Sequence, residues 1–217
     1  MTQTRPSALL LDIEGVVAHP DVAALDAALA DVAPGLDAAG LDAARNRPTT
    51  YPLWRAYSVG ALTPAEYWTG IAGALGLEEP PAAAAALADA MRRAWWARLD
   101  EPVLDVVRGV RQHRAAGRFP RLGILSNSAP EHEAHIPRFA DVFDVHCFSH
   151  RIGARKPDEA AFRASLAALG VPADAVVFVD DKARNTDAAA ALGMIGVPFV
   201  GAGPLRAYLA ERGWLDP

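Results

Sequence analysis

The sequence predicts an α/β protein, a doubly wound parallel sheet with an all-helical segment inserted after its first strand. Three observations predict it. Ala8 to Leu11 is an apolar run of the kind shown by strands buried on both faces, and it stops at two acids, Asp12 and Glu14. From Pro102 onward, apolar strand-like runs alternate with helical patterns, as in parallel sheets built from right-handed crossovers. From about residue 20 to residue 100 the apolar spacing is helical and no strand pattern interrupts it. The expected division is an α/β core of residues 1–18 and 101–217, with a helical cap of 19–100 over the C-terminal edge of the sheet.

Composition bounds the function. The chain has 217 residues, 52% of them hydrophobic, enough for a packed core. A net charge of −5 and a pI near 5.7 argue against a nucleic-acid-binding surface. No apolar stretch reaches the roughly 18 residues a membrane span needs, and the polar start followed early by Asp12 does not read as a signal peptide. Cys147 is the sole cysteine, which excludes an internal disulfide and a cysteine-built zinc site. The expectation is a soluble cytoplasmic protein. Nineteen arginines stand beside two lysines, Lys156 and Lys182. A lysine kept in such a background points to a need for a compact ammonium.

The elements follow in order. Val22, Leu25, Leu29 and Val32 share a helical face, with Asp21 as N-cap and Pro34-Gly35 as stop. A second helix covers 36–45. Residues 46–52 form a loop, and a short helix over 53–57 ends by Gly60. Thr63-Pro64-Ala65-Glu66 is a capping box with Pro at the first helical position; its helix ends at Gly76. Pro80-Pro81 opens an Ala-rich helix that is expected to reach Leu99. A helix over 102–116 stops at Gly117. Strands are expected at 121–126, 142–148, 175–180 and 194–200, with helices at 131–139, 157–169, 183–192 and 204–212.

Chemistry-bearing residues gather where these strands end. Asp12 and Glu14 are two apart on a strand, so both carboxylates point the same way. Like charges so placed call for a cation or a shared proton. Ser126-Asn127 ends a strand with a hydroxyl and free N–H groups suited to phosphate oxygens. Lys156, ahead of a Pro-started helix, suits an anion. Asp180-Asp181, followed by Asn185, ends another apolar strand. Carboxylates from two strand ends can share one hard cation, and Mg²⁺ is the natural choice.

Four motifs carry a family resemblance across nearly the whole chain: Asp12-Ile-Glu14-Gly15-Val16, Leu125-Ser126-Asn127, Arg155-Lys156-Pro157-Asp158, and Val179-Asp180-Asp181 through Asn185 to Met194. In this order they resemble the haloacid dehalogenase-like hydrolases, specifically phosphatases with an α-helical cap after the first strand of a Rossmann-like core. The resemblance implies a Mg²⁺-dependent phosphatase in which Asp12 attacks phosphorus and forms an aspartyl-phosphate. It implies that Ser126, Asn127 and Lys156 hold the phosphoryl group. Asp12, the Glu14 carbonyl and Asp181 would bind the metal, with Asp180 and Asn185 behind them. Glu14 departs from the family's usual Asp. The Glu carboxyl has a similar pKa and is one methylene longer, so it can serve the same proton transfers.

The expected substrate is a small phosphorylated metabolite, such as a sugar phosphate. Arg45, Arg47, Tyr51 and Trp54 are candidate cap contacts, and His19 a candidate at the entrance. The other readings are a metal-independent 2-haloacid dehalogenase, a phosphomutase, and a catalytically impaired binding module. Nothing in the sequence selects between monomer and homodimer.

Overall fold

In the computed structural model, which describes residues 6–115 and 120–216, the central layer is built from β1 (Ala8–Leu11), β4 (Arg121–Ser126), β5 (Val145–Phe148), β6 (Val176–Asp180) and β7 (Ile195–Pro198). These form a parallel sheet of order β5-β4-β1-β6-β7. Every residue of β1 and β6 is buried, because helices cover both faces of the sheet. Leu9 and Leu11 of β1 pack with Val103 and Val107 of α6 (Glu101–Ala115) and with Leu205 and Leu209 of α10 (Ala202–Glu211). Ala8 and Leu10 face the other way, onto Phe162 and Leu169 of α8 (Glu159–Leu169) and Ala189 of α9 (Ala183–Ala191). The period of two thus decides which helix each β1 residue meets. The expected helix stop at Gly117 lies outside the described residues.

The order reverses at β1. The chain leaves it for β4 on one side and later returns to β6 on the other. The crevice at the C-terminal ends of strands flanking such a reversal is where open α/β sheets bind ligands.

Between β1 and α6 lie α1 (Val22–Val32), α2 (Ala38–Arg45), α3 (Tyr51–Tyr57), α4 (Pro64–Leu75) and α5 (Pro80–Ala94). The N-termini of α1 and α4 are capped as the sequence indicates. Asp21 accepts from the Ala24 N–H at 3.1 Å. Glu66 and Thr63 exchange bonds in a complete capping box. The helices share a core that includes Leu25, Leu29, Leu41, Trp68, Ile71 and Leu87.

Several expected boundaries move. The Ala-rich helix stops at Ala94 rather than Leu99, because Trp95 is extended and Trp96 takes a left-handed φ of 58°. That conformation is costly for a bulky residue, and here it accompanies full burial of the indole in the sheet core. The chain then forms β3 (Arg98–Leu99), antiparallel to β2 (Ala18–His19), a two-stranded ribbon that the sequence pattern did not show. His19 is drawn into it beside Asp100 at 3.5 Å and does not line the cavity described below. The expected helix over 131–139 is three 3₁₀ turns, Pro130–Ala134, Ile136–Arg138 and Ala140–Val142. Pro137 lacks the N–H that a continuous helix would need. The helix expected from Pro157 opens at Glu159, because the Asp158 N–H closes a turn onto the Arg155 carbonyl at 2.8 Å.

The first 3₁₀ turn fastens the helical segment to the sheet layer. Glu131 is buried and accepts from Tyr57 Oη at 2.5 Å and Trp68 Nε1 at 2.6 Å. Next to it His132 is buried against the Trp96 ring, 4.3 Å between centroids. Its Nδ1 accepts from the Ala129 N–H at 3.1 Å, which fixes the neutral ring with its proton on Nε2. Burial, then Arg45 and neighbouring histidines, hold the His132 pKa well below the usual range.

A depressed histidine pKa means that between the folded and unfolded values only the unfolded chain binds the proton, so stability falls as pH falls. The midpoint of thermal unfolding should therefore drop on acidification from about pH 6.5, the unfolded histidine value, to pH 5. His132→Gln, which keeps an acceptor for Ala129 and cannot charge, should flatten that slope. An equal slope in the variant would contradict the assignment.

Candidate active site

The three central strands deliver the site. Asp12 follows β1, Ser126 ends β4, and Asp180 ends β6, so all three lie at one edge of adjacent strands. The Asp12 N–H continues the ladder onto the Val179 carbonyl at 2.9 Å, which holds Asp12 in register with Asp180.

Lys156 joins the two acids. It is 1% exposed, and its ammonium lies 2.8 Å from Asp12 Oδ1 and 2.6 Å from Asp180 Oδ2. Two carboxylates around one buried ammonium leave one excess negative charge, and their environments split it unequally. Burial, opposed by Lys156 and reinforced by Asp180, pushes the Asp12 carboxyl up to about 7. Asp180 pays the same burial penalty but is held below the usual carboxylate range by Lys156, the Lys182 N–H and Asn185. Asn185 donates to both Asp180 oxygens at 2.9 Å, and the Lys182 N–H donates at 2.9 Å. The donors to Asp12, the Ile13 N–H at 2.7 Å and Lys156, both fall on Oδ1.

The other expected residues take different positions. Ser126 Oγ is buried without a partner among the described residues. Asn127 lines the cavity, but its amide is engaged on both sides. It donates to the Lys156 carbonyl and accepts from the Lys156 N–H, each at 2.8 Å. The side chain therefore fixes the loop that carries Lys156. Glu14 accepts from Trp95 Nε1 at 2.8 Å. Asp181 packs on Gly15, whose φ is 86° and where a Cβ would come within 2.7 Å of Asp181 Oδ2. Gly15 thus has a steric reason as well as a backbone one. Of the four candidates from the helical segment, Arg45 and Trp54 line the cavity and Tyr51 stands beside it, against Arg155. Arg47 does not reach it; it is exposed and bonded to the Ala74 carbonyl at 2.7 Å.

The cavity, of about 200 Å³, lies between the strand ends and the helical segment. Trp95, Arg155, Asp42 and Arg184 also line it, and sequence reasoning gave none of them a role there. Arg155 had a visible signal, its place beside Lys156. Trp95 had none, because its indole reaches Glu14 only through the break after α5.

The donor set fits a hard divalent cation. Asp12, Asp180 and Asp181 each bring a carboxylate oxygen to within 4.8 Å of the others, an all-oxygen set of the kind Mg²⁺ takes. Asp181, with its side chain 32% exposed, is less committed to protein donors than the fully buried Asp180.

The fold is a parallel α/β sheet that carries an acid, Asp12, at its strand reversal. The chain belongs to the haloacid dehalogenase-like (HAD) hydrolase family, whose model matches residues 6–193. Its structure is similar to that of a HAD-family enzyme from Bacteroides thetaiotaomicron in complex with magnesium and inorganic phosphate (19% identity, 91% of this chain and 96% of that one, TM-score 0.70). It is similar as well to a HAD-like hydrolase from Porphyromonas gingivalis (18% identity, 95% and 98% covered, TM-score 0.71). A third similar structure is the L-2-haloacid dehalogenase of Xanthobacter autotrophicus with chloropropionic acid covalently bound (18% identity, 98% and 85% covered, TM-score 0.65). Among curated proteins, drimenol cyclase drtB of Aspergillus calidoustus is 36% identical over 104 residues, 47% of this chain and 20% of that protein. The match thus spans about a fifth of that relative's length. No helix among the described residues is long and apolar enough to cross a membrane.

Removing Asp180 while leaving Lys156 breaks a buried ion pair. Asp180→Ala should lower the free energy of urea unfolding by about 3–5 kcal/mol. A loss below about 1 kcal/mol would show that Asp12 alone balances Lys156.

Proposed function

We propose that the protein is a Mg²⁺-dependent phosphatase acting on a small phosphomonoester, with the helical segment of residues 19–100 serving as a cap. The observation that carries this reading is the buried Lys156 bridge between Asp12 and Asp180, beside a third acid, Asp181. An ammonium and a cation-competent acid set at one strand edge suit an anionic substrate approaching an anionic nucleophile. The magnesium and phosphate in the Bacteroides thetaiotaomicron relative support it.

Among the described residues Asp12 Oδ2 carries no donor bond comparable to those on Oδ1, which suits it to attack phosphorus. The bond from phosphorus to the leaving oxygen breaks, and that oxygen takes its proton from Glu14. Water then attacks the aspartyl-phosphate at phosphorus and gives a proton to Glu14, which releases phosphate and restores Asp12. Lys156 opposes the burial that raises the Asp12 carboxyl and so favours its ionised form. Trp95 holds the Glu14 carboxyl at the cavity wall. Asp12, Asp181 and the Glu14 carbonyl would hold Mg²⁺, which when bound supplies positive charge against repulsion between nucleophile and ester.

The dehalogenase relative favours a second reading, in which Asp12 displaces halide from a 2-haloacid. The extra acids at 180–181 weigh against it, since that reaction uses no metal.

Hydrolysis of p-nitrophenyl phosphate should require Mg²⁺, stop with EDTA, and fall at least about a thousandfold in Asp12→Asn. Turnover retained in that variant would overturn the mechanism. Chelator-resistant turnover of 2-chloropropionate, with none of the phosphate ester, would establish the second reading.

A further inference from the structure

Two arginines line the cavity without an ion-pair partner among the described residues. Arg155 is 7% exposed, and its Nε and Nη1 find no acceptor among the described residues. Its guanidinium carbon lies 5.9 Å from the centre of the Tyr51 ring and 6.0 Å from that of Trp54. Arg45, also 7% exposed, donates from Nε to Tyr67 Oη at 2.9 Å. Its guanidinium carbon lies 4.6 Å from the Trp54 ring centre and 5.4 Å from that of Trp95. Among the described residues neither arginine forms an ion pair. Asp158, which acts on Arg155 electrostatically, is half exposed and paired with Arg55 at 3.5 Å. Asp42 lines the same cavity but is exposed to solvent.

Buried charge is costly unless it is paired, and Lys156 is already matched by two carboxylates. Neither guanidinium at the cavity wall has a carboxylate in contact among the described residues. Aromatic rings lie beside both guanidinium groups, and the Nε and Nη1 donors of the Arg155 fork have no acceptor among the described residues, which leaves them for a ligand. Such forks match a carboxylate or a phosphate.

We propose that Arg155 and Arg45 form a second anion subsite, so that the substrate is a phosphomonoester carrying a further carboxylate or phosphate at its other end. The cavity of about 200 Å³ limits the link between the two anions to a few atoms. The assignment of the reacting group rests on the phosphatase reading; the subsite itself does not.

Non-hydrolysable probes separate the two. Propylphosphonate has one anionic group, 3-phosphonopropionate adds a carboxylate, and propane-1,3-bisphosphonate adds a second phosphonate. Their binding to the full chain with Mg²⁺ is measured by calorimetry, and by tryptophan fluorescence, since Trp54 and Trp95 line the cavity. At least one doubly anionic probe should bind ten times or more tighter than propylphosphonate, and which one does so tells carboxylate from phosphate. The preference should fall below threefold in Arg155→Met and in Arg45→Met, and return in part in Arg155→Lys. Equal binding of all three probes, or binding of none, would overturn the subsite. So would a preference that survives both Met substitutions in variants with native circular dichroism. If the preference is present but p-nitrophenyl phosphate is not hydrolysed, the subsite stands and the phosphatase reading fails.

Discussion

The structure depends on one buried ammonium. Lys156 sits between Asp12 and Asp180, and each partner arrives from a different strand end while the lysine arrives from a loop. None of the three is tolerable alone, because an unpaired buried charge is strongly destabilising. The bridge therefore ties the ends of β1 and β6 to the 153–158 turn, and the Asn127 amide locks that turn from the β4 side. The same arrangement sets the chemistry. Asp180 holds its negative charge against burial because it collects most of the donors, whereas Asp12 has fewer and its affinity for a proton rises. An acid in that condition gains from any further positive charge in the cavity.

The second constraint is the seam between sheet and helical segment. Glu131 leaves the 3₁₀ turn after β4 and enters the aromatic core of the helices, where Tyr57 and Trp68 donate to it. Tyr57 stacks on Tyr67 at 4.3 Å, and Tyr67 accepts from Arg45. A chain of contacts thus runs from the sheet layer to a cavity arginine. At a second point of the seam, Trp95 leaves α5 and reaches Glu14. The cavity walls are consequently registered to the strand ends at two places, so small changes in the helical segment act directly on the acids below.

The parallel sheet was legible because its strands are short apolar runs ended by acids, glycines and prolines, and the alternation with helices is regular. The site was legible because Asp12, Lys156 and the 180–181 pair each sit at a strand end or beside one. What the sequence hid depends on contacts between distant segments. The break at Trp95-Trp96 lies inside a pattern of good helix formers, and it follows from burying Trp96 in the sheet core. Asn127 reads as a phosphate ligand in isolation, yet its amide is taken by the backbone of Lys156, 29 residues away. Arg47 and Arg45 are two residues apart and look alike in sequence. Arg45 ends α2 and lines the cavity, whereas Arg47 lies past the helix end and bonds to the Ala74 carbonyl.

The central claim is that Asp12, held by Lys156, attacks phosphorus and is released by water attacking the same phosphorus. A single turnover of a phosphomonoester in water enriched in oxygen-18, with excess protein, tests it most directly. The account predicts the label in the released inorganic phosphate and none in the peptide that carries Asp12. Label in the Asp12 carboxyl group would mean that water attacks the carboxyl carbon of the ester intermediate, and would contradict the account.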